Sequence, residues 1–279
     1  MQIVRIKSEL TAILKQWKAT KELIGFVPTM GALHLGHVSL VNRAKAQNKY
    51  CVVSIFVNPT QFNERDDYQR YPRNEAGDLA LLKEAGADLV FIPDEAEMYG
   101  AAYEQAPAFD FEGLDKPMEG RFRAGHFNGV VTIVDKLFRL VMPDKAYFGQ
   151  KDFQQLAIIR LLARKRFPDI EIVACPIIRE TSGLAMSSRN ELLTEEERIR
   201  AGAIAKALFA LAEKFGKYPL AQLHRQAIKD LEVIGVPEYL ELVQRDTLQV
   251  VDEHYKGAVV ACVAIRLGKV RLIDNIEIP

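Results

Sequence analysis

Two imidazoles three residues apart, His34 and His37, stand in the run Val27-Pro28-Thr29-Met30-Gly31-Ala32-Leu33-His34-Leu35-Gly36-His37. Side chains at this spacing lie on one side of the first turn of a helix, and Gly36 between them carries no Cβ to hold a flat ring off the backbone. The apolar Ile24-Gly25-Phe26-Val27 precedes the run, and the amphipathic Val38-Ser39-Leu40-Val41-Asn42-Arg43-Ala44 follows it. The order is therefore strand, tight turn, helix N-terminus, where unpaired N–H groups and the helix dipole favour negative charge. The chemistry on offer is a phosphate beside both rings and an adenine over Gly36. Spacing alone leaves two other readings open: a solvated surface pair, or half of a metal site. A zinc site needs three or four ligands, and the other histidines of the five are scattered.

Other chemistry-bearing clusters also close strand-like runs. Cys51-Val52-Val53-Ser54-Ile55-Phe56-Val57 ends in Asn58-Pro59-Thr60-Gln61-Phe62. Proline cannot continue a ladder, so the chain leaves the sheet there and presents Asn58 and Gln61. Lys145-Ala146-Tyr147-Phe148 ends in Gly149-Gln150-Lys151-Asp152. Ligands of doubly wound sheets sit outside the carboxyl ends of the strands, so three polar clusters are expected to face one crevice. Lys151 and Asp152 suit a phosphate and a ribose hydroxyl, or equally an ordinary surface ion pair. Gly183-Leu184-Ala185-Met186-Ser187-Ser188-Arg189-Asn190 offers two hydroxyls and a guanidinium, either a phosphate clamp or a set of helix caps. Arg123 and His126 belong to a Gly-punctuated basic loop, residues 119–129.

These clusters need a scaffold, and the periodicity supplies one. Strand and helix patterns alternate through residue 178: helices at 8–17, 38–44, 75–85, 130–141 and 153–167, strands at 24–27, 51–57, 88–92, 145–148 and 171–178. Such alternation predicts an α/β fold, a Rossmann-like doubly wound parallel sheet. The charged stretch 63–74 reads as a surface loop, connection or lid, and 94–129 shows little periodicity. After residue 180 the character changes. Thr194-Glu195-Glu196-Glu197 is a capping-box signature opening a helix to about Gly216, followed by a helix at 221–234. Three strands at 239–243, 258–267 and 269–276 complete a smaller α+β domain. The expected division is 1–180 and 181–279, with the Met-Ser-Ser-Arg loop at the junction.

With 279 residues the chain can bury a sizeable core. Its 37 basic and 37 acidic residues balance, so no large positive field advertises nucleic acid or an acidic membrane. No apolar run approaches a membrane span and no leader signature opens the chain, so a cytoplasmic protein is expected. Cys51, Cys175 and Cys262 are odd in number and embedded in apolar runs, which predicts reduced buried thiols.

Taken together, His34-Leu35-Gly36-His37 and Met186-Ser187-Ser188-Arg189 resemble the nucleotidyltransferase superfamily. With Val57-Asn58-Pro59-Thr60-Gln61-Phe62, Arg123-Ala124-Gly125-His126-Phe127 and Phe148-Gly149-Gln150-Lys151-Asp152-Phe153-Gln154-Gln155 added, the sequence is similar to the pantothenate synthetase family, the pantoate–β-alanine ligases, from about Gly25 to Asp274-Asn275.

The resemblance implies an ATP-dependent ligase that joins D-pantoate to β-alanine through a pantoyl-adenylate and releases AMP and pyrophosphate. It implies an ATP site made of residues 30–37, 149–152, 178 and 186–189. His34, His37, Lys151, Ser187, Ser188 and Arg189 would act on the phosphates: His37 and Lys151 at the α-phosphate and leaving pyrophosphate, the Ser-Ser-Arg loop at the β and γ phosphates. Met30 and Gly36 would flank the adenosine, with Gly31, Ala32, Leu33 and Leu35 completing the turn. Gly149 and Asp152 would meet the ribose, with Gln150 between them in the ATP site, and Ile178 the adenine edge. Gln61 and Gln155 would grip pantoate, with Asn58, Arg123 and His126 beside it. Magnesium would ride on the phosphates, where it keeps several waters; Asp78 is its candidate protein ligand, or else a helix-surface carboxylate. A homodimer with small-molecule partners, and neither nucleic acid nor membrane, completes the expectation. Rival readings are another adenylyltransferase of the superfamily and a nucleotide-binding regulatory module without turnover.

Overall fold

The computed structural model describes residues 1–100 and 108–278. Of the stretch read as aperiodic, 101–107 lie outside the described residues. The chain divides into two units. One comprises Met1–Asp115, Arg123–Gln150 and Gln155–Pro176; the other takes Lys116–Phe122, Lys151–Gln154 and Ile177–Pro279.

The first unit is built on a six-stranded parallel sheet: β1 Gln2–Val4, β2 Ile24–Thr29, β3 Tyr50–Ile55, β4 Leu89–Phe91, β5 Lys145–Gly149 and β6 Glu171–Cys175. Its order is β1-β4-β3-β2-β5-β6. Consecutive residues of β2 serve opposite faces, since side chains alternate along a strand. Phe26 packs with Leu10, Phe91 and Phe138, while Val27 packs with Val53, Val90 and Tyr147. Two buried faces explain why these strands read as continuous apolar runs rather than alternating ones. The order reverses at β2, which has β3 on one side and β5 on the other. That reversal opens a crevice at the carboxyl ends of β2 and β5, and the His34–His37 run follows β2 directly.

The helices up to the end of this sheet are α1 Lys7–Ala19, α2 Leu35–Gln47, α3 Arg65–Arg70, α4 Glu75–Glu84, α5 Glu95–Tyr99, α6 Met118–Phe122, α7 His126–Val141 and α8 Phe153–Arg166. The expected doubly wound α/β architecture is present, with three local differences. β1 is a three-residue edge strand paired with β4, too short for a periodic signal. The charged 63–74 stretch holds α3, whose exposed Asp66 and Arg70 pair at i,i+4. Helix α7 begins at His126 rather than residue 130, because Gly125 takes a left-handed φ of 79° and turns the chain into it.

The second unit carries α9 Glu195–Ala201, α10 Ala203–Lys214, α11 Leu220–Glu232 and an antiparallel sheet of β7 Val236–Gln244, β8 Val259–Leu267 and β9 Val270–Ile278. Thr194 and Glu197 form the expected capping box, Glu197 N–H to Thr194 Oγ1 and Thr194 N–H to Glu197 Oε2. The single helix expected up to Gly216 is broken at Gly202. A Cβ there would lie 2.4 Å from the Ser182 carbonyl oxygen, so the residue is glycine because two backbones meet. Leu208, Leu211, Leu231, Val263 and Leu272 share the core of this unit.

Candidate functional site

The turn that leaves β2 is built from backbone strain and one buried carboxylate. Gly31 and Ala32 are both left-handed, with φ of 81° and 49°, a conformation that costs a non-glycine residue about 1–2 kcal/mol. Thr29 Oγ1 donates to the Ser54 carbonyl and accepts from Gly31 N–H. Asp78 on α4, only 3% exposed, accepts Ala32 N–H at 2.9 Å and Leu33 N–H at 2.7 Å, one on each oxygen. Burial pushes its carboxyl above the ordinary range, against the pull of those two N–H groups.

His34 is the N-cap of α2 and His37 sits three residues on, inside the helix. His34 Nδ1 accepts Gly36 N–H at 3.1 Å, and His37 Nδ1 accepts His34 N–H at 3.3 Å. An imidazole nitrogen that accepts from a backbone N–H carries no proton, so a neutral ring in this position bears its hydrogen on Nε2. The two half-buried rings lie 4.1 Å apart, tilted by 46°. Both therefore offer Nε2–H as a donor and cap the helix at the same time.

The end of β3 leads into the second cluster. Pro59–Gln61 forms a 3-10 turn capped by Asn58. Asn58 is 1% exposed; its amide donates to Gln61 Oε1 at 3.1 Å and to the Gly129 carbonyl. Its oxygen takes Thr60 Oγ1 and the Tyr99 hydroxyl. The Gln61 amide is thus set with its oxygen toward Asn58 and its nitrogen toward Met30 Sδ, 2.8 Å away. His126 Nδ1 lies 2.7 Å from the Gln61 carbonyl, and its Nε2 lies 3.2 Å from Arg123 Nη1. A carbonyl only accepts and a guanidinium only donates, so His126 carries Nδ1–H, the opposite tautomer to His34 and His37. Arg123 also reaches the Gln61 carbonyl. Asn58, Arg123 and His126 were expected beside substrate; their bonds make them the frame of Gln61. Gly129 lets α7 come this close, since a Cβ there would sit 2.3 Å from the Thr60 carbonyl oxygen.

Gly149 ends β5, and Gln150 N–H continues the pairing to the Cys175 carbonyl. A Cβ on Gly149 would meet no atom within 4 Å, so the space beside it stays open for a ligand. Gln155, on α8, is half-buried.

In the second unit, the Lys151 carbonyl accepts the Asn275 amide at 2.8 Å. Asp274 receives Asn275 N–H and a bidentate pair from Arg179 at 2.6 and 3.0 Å. Lys151 Nζ stands 4.0 Å from Asp152, beyond hydrogen-bond reach. Ile178 and Met186 are joined through Met186 N–H and the Ile178 carbonyl. Ser187 caps a 3-10 turn, its hydroxyl accepting Arg189 N–H. Asn190 donates to Glu180 and to the Ala185 carbonyl, tying the loop down. Ser187 thus caps its own turn, and Arg189 is half-buried.

Burial holds the Cys51 thiol up at about 12 and raises Cys175 and Cys262 as well, which makes them inert. Asp78, the expected metal ligand, uses both oxygens on main-chain N–H groups, and among the described residues no group of three or more His, Cys, Asp or Glu could hold an ion. The donor set does not make a protein cage for magnesium. What sequence reading missed is the support: Asp78 for 32–33, Gly129 and Tyr99 for Asn58 and Gln61, Asn275 for Lys151. Each partner is distant in sequence, so no local pattern marks it. A cavity of about 240 Å³ is walled by Met30, Gly31, Tyr68, Glu75, Asp78 and Glu95 among others.

Comparison with known proteins adds an independent finding. The family model described as pantoate-beta-alanine ligase matches residues 2–277. The pantothenate synthetase of Acetivibrio thermocellus is 45% identical over 280 residues, 99% of each chain. Pantothenate synthetase 1 of Bradyrhizobium diazoefficiens is 47% identical, covering 99% of this chain and 98% of its own. Among solved structures, pantothenate synthetase from Thermus thermophilus superposes with a TM-score of 0.93 at 42% identity, over 100% of this chain and 99% of that one. Pantoate-beta-alanine ligase from Francisella tularensis, complexed with beta-gamma ATP and beta-alanine, gives 0.81 at 34% identity, over 99% and 97%.

Proposed function

The chain belongs to the pantoate-beta-alanine ligase family and is an ATP-dependent ligase of pantoate and β-alanine, and we propose that it works through a pantoyl-adenylate. A pantoate carboxylate oxygen attacks the α-phosphorus, the bridging bond to the β-phosphate breaks, and pyrophosphate leaves. The β-alanine nitrogen then attacks the acyl carbon, the acyl–oxygen bond breaks, AMP leaves, and the nitrogen sheds a proton to solvent. Donors fixed where negative charge grows on phosphate lower the first barrier most.

The observation that carries this reading is the tautomer of the two imidazoles. With Nδ1 of each engaged by backbone N–H, the Nε2–H groups of His34 and His37 are neutral donors held without reorganisation. They stand at the switch point of the sheet, at the N-terminus of α2. Met30, Gly36 and Gly149 suit the adenosine, and Gln61, with Gln155, suits pantoate. Neutral amides grip hydroxyls and carboxylate without holding back a nucleophile by charge. In the second unit Lys151, Ser187, Ser188 and Arg189 have the charge and donors for phosphate oxygens, with Asp152 as ribose acceptor and Ile178 at the base. Magnesium would be held by the phosphates, where it would offset their charge. A cytoplasmic homodimer is part of the same reading, carried by family resemblance; sedimentation as a monomer at micromolar concentration would remove it.

The test is a matrix of acids and amines scored for AMP. Release that requires both pantoate and β-alanine is expected. AMP formed equally well with an unrelated acid would point to another adenylyltransferase, and ATP binding without AMP from any pair would point to a regulatory module.

A further inference from the structure

We propose that Asp78 is a positioning residue for ATP: its carboxylate fixes the backbone of Ala32 and Leu33 and thereby sets the two imidazoles that follow. The inference rests on the ATP role given above to the His34–His37 turn. Asp78 is buried, and no cation lies within ion-pair distance of it among the described residues. A buried carboxylate without a cation is unfavourable unless hydrogen bonds satisfy it. Here two consecutive N–H groups do so, at 2.9 and 2.7 Å. Those N–H groups belong to a turn with two left-handed residues in a row. The packing behind it is tight: a Cβ on Gly31 would lie 3.0 Å from Asp78 Oδ2 and 3.1 Å from Ile55 Cγ2.

The next residue after Leu33 is the N-cap itself. His34 N–H is the donor to His37 Nδ1, so the orientation of the second ring depends on where the turn delivers that amide. A carboxylate beside a site for a polyanion also repels its ligand, so electrostatics alone would not place one there. Two acceptors aimed at adjacent amides are something neither asparagine nor a hydroxyl can supply. An asparagine has one acceptor and would point its NH₂ at the other backbone donor.

The experiment compares Asp78→Asn and Asp78→Ala with the intact enzyme, following AMP release against ATP and pantoate separately. Asp78→Asn should raise KM for ATP or lower kcat by about tenfold or more, the size expected when a charge-assisted bond is replaced by a donor clash. KM for pantoate should stay within about twofold, and the circular dichroism spectrum should not change. The effect should also shrink when His37 is already alanine, because residues acting through one another are not additive. Wild-type KM for ATP together with wild-type kcat in Asp78→Asn, or equal rises in both KM values, would overturn the inference. So would full additivity with His37→Ala. Unfolding of Asp78→Ala does no harm to the test, which Asp78→Asn alone decides. If His37→Ala itself leaves AMP release intact, the ATP reading fails instead, and the two failures are told apart.

Discussion

The two turns proposed to face phosphate are held in opposite ways. In the first unit the turn before His34 is gripped by its N–H groups, through the charged Asp78. In the second the Lys151 turn is gripped by its carbonyl, through the neutral amide of Asn275. The charge of each clamp follows from what the turn must offer. A turn whose working groups are imidazole Nε2–H donors can accept a carboxylate behind its backbone, since that anion orders the amides without touching the rings. A turn whose working group is an ammonium is better tied by a neutral side chain, because a carboxylate there would pair with the lysine and compete with phosphate. The Asn275 clamp has its own charge one step back, where Asp274 is neutralised by Arg179.

The harshest way to break this comparison is to remove the working group from each turn. His37→Ala and Lys151→Ala should each slow single-turnover formation of pantoyl-adenylate by about 10²–10³-fold, the scale seen when one preorganised donor to a developing oxyanion is lost. Both should fold normally, because neither side chain lies in an apolar core. A rate within threefold of wild type in either variant would strike that residue from the phosphate set. Gln61→Ala belongs to neither turn, so it should raise KM for pantoate by about 10–100-fold, one to two lost hydrogen bonds to a charged ligand. Equal effects on ATP and pantoate would undo its assignment.

A smaller effect sharpens the comparison at the clamps. Asn275→Ala removes the donor to the part-buried Lys151 carbonyl, at a cost of about 1 kcal/mol. Part of this should appear as a lower denaturation midpoint and part as a roughly tenfold loss of adenylation rate. Asn275→Asp should be worse, since it sets a carboxylate against a carbonyl. A variant that loses stability but keeps its rate would make Asn275 a structural residue only.

What was legible in the sequence follows the same division between working groups and clamps. His34, Gly36 and His37 sit in one short run, and the strand before it and helix after it have clear periodicity, so the strand–turn–helix unit and the doubly wound sheet could be read. Thr194 and Glu197 carry their cap within four residues and could be read too. Asp78 could not, because the amides it accepts are 45 and 46 residues away and its helix position resembles any other acidic first turn. Arg123 and His126 were visible as a motif, but their task, holding the Gln61 carbonyl from 62 and 65 residues away, required the packing of α7 on the Asn58–Gln61 turn. α3 was hidden for another reason: six mostly charged residues with no buried side chain have no apolar period to detect.

The mildest test uses pH, to which only the charged clamp responds. Burial raises the Asp78 carboxyl above its ordinary value, with Glu75 adding to the rise and the Ala32 and Leu33 N–H groups opposing it. Because the folded value is the higher one, the folded chain takes up this proton more readily than the unfolded chain. The group therefore costs stability above its folded pKa, and that cost is relieved as pH falls from there toward the ordinary aspartate value. Function should move the other way. A protonated carboxyl turns one acceptor into a donor facing a backbone N–H, so the turn loosens and KM for ATP should rise by a few-fold on the acid side. Asp78→Asn, already lacking that acceptor, should show the raised KM at neutral pH and no further rise on acidification. Asn275→Ala should keep the acid limb of the wild type. An acid limb that survives unchanged in Asp78→Asn would assign it to another group and leave the two clamps indistinguishable by charge.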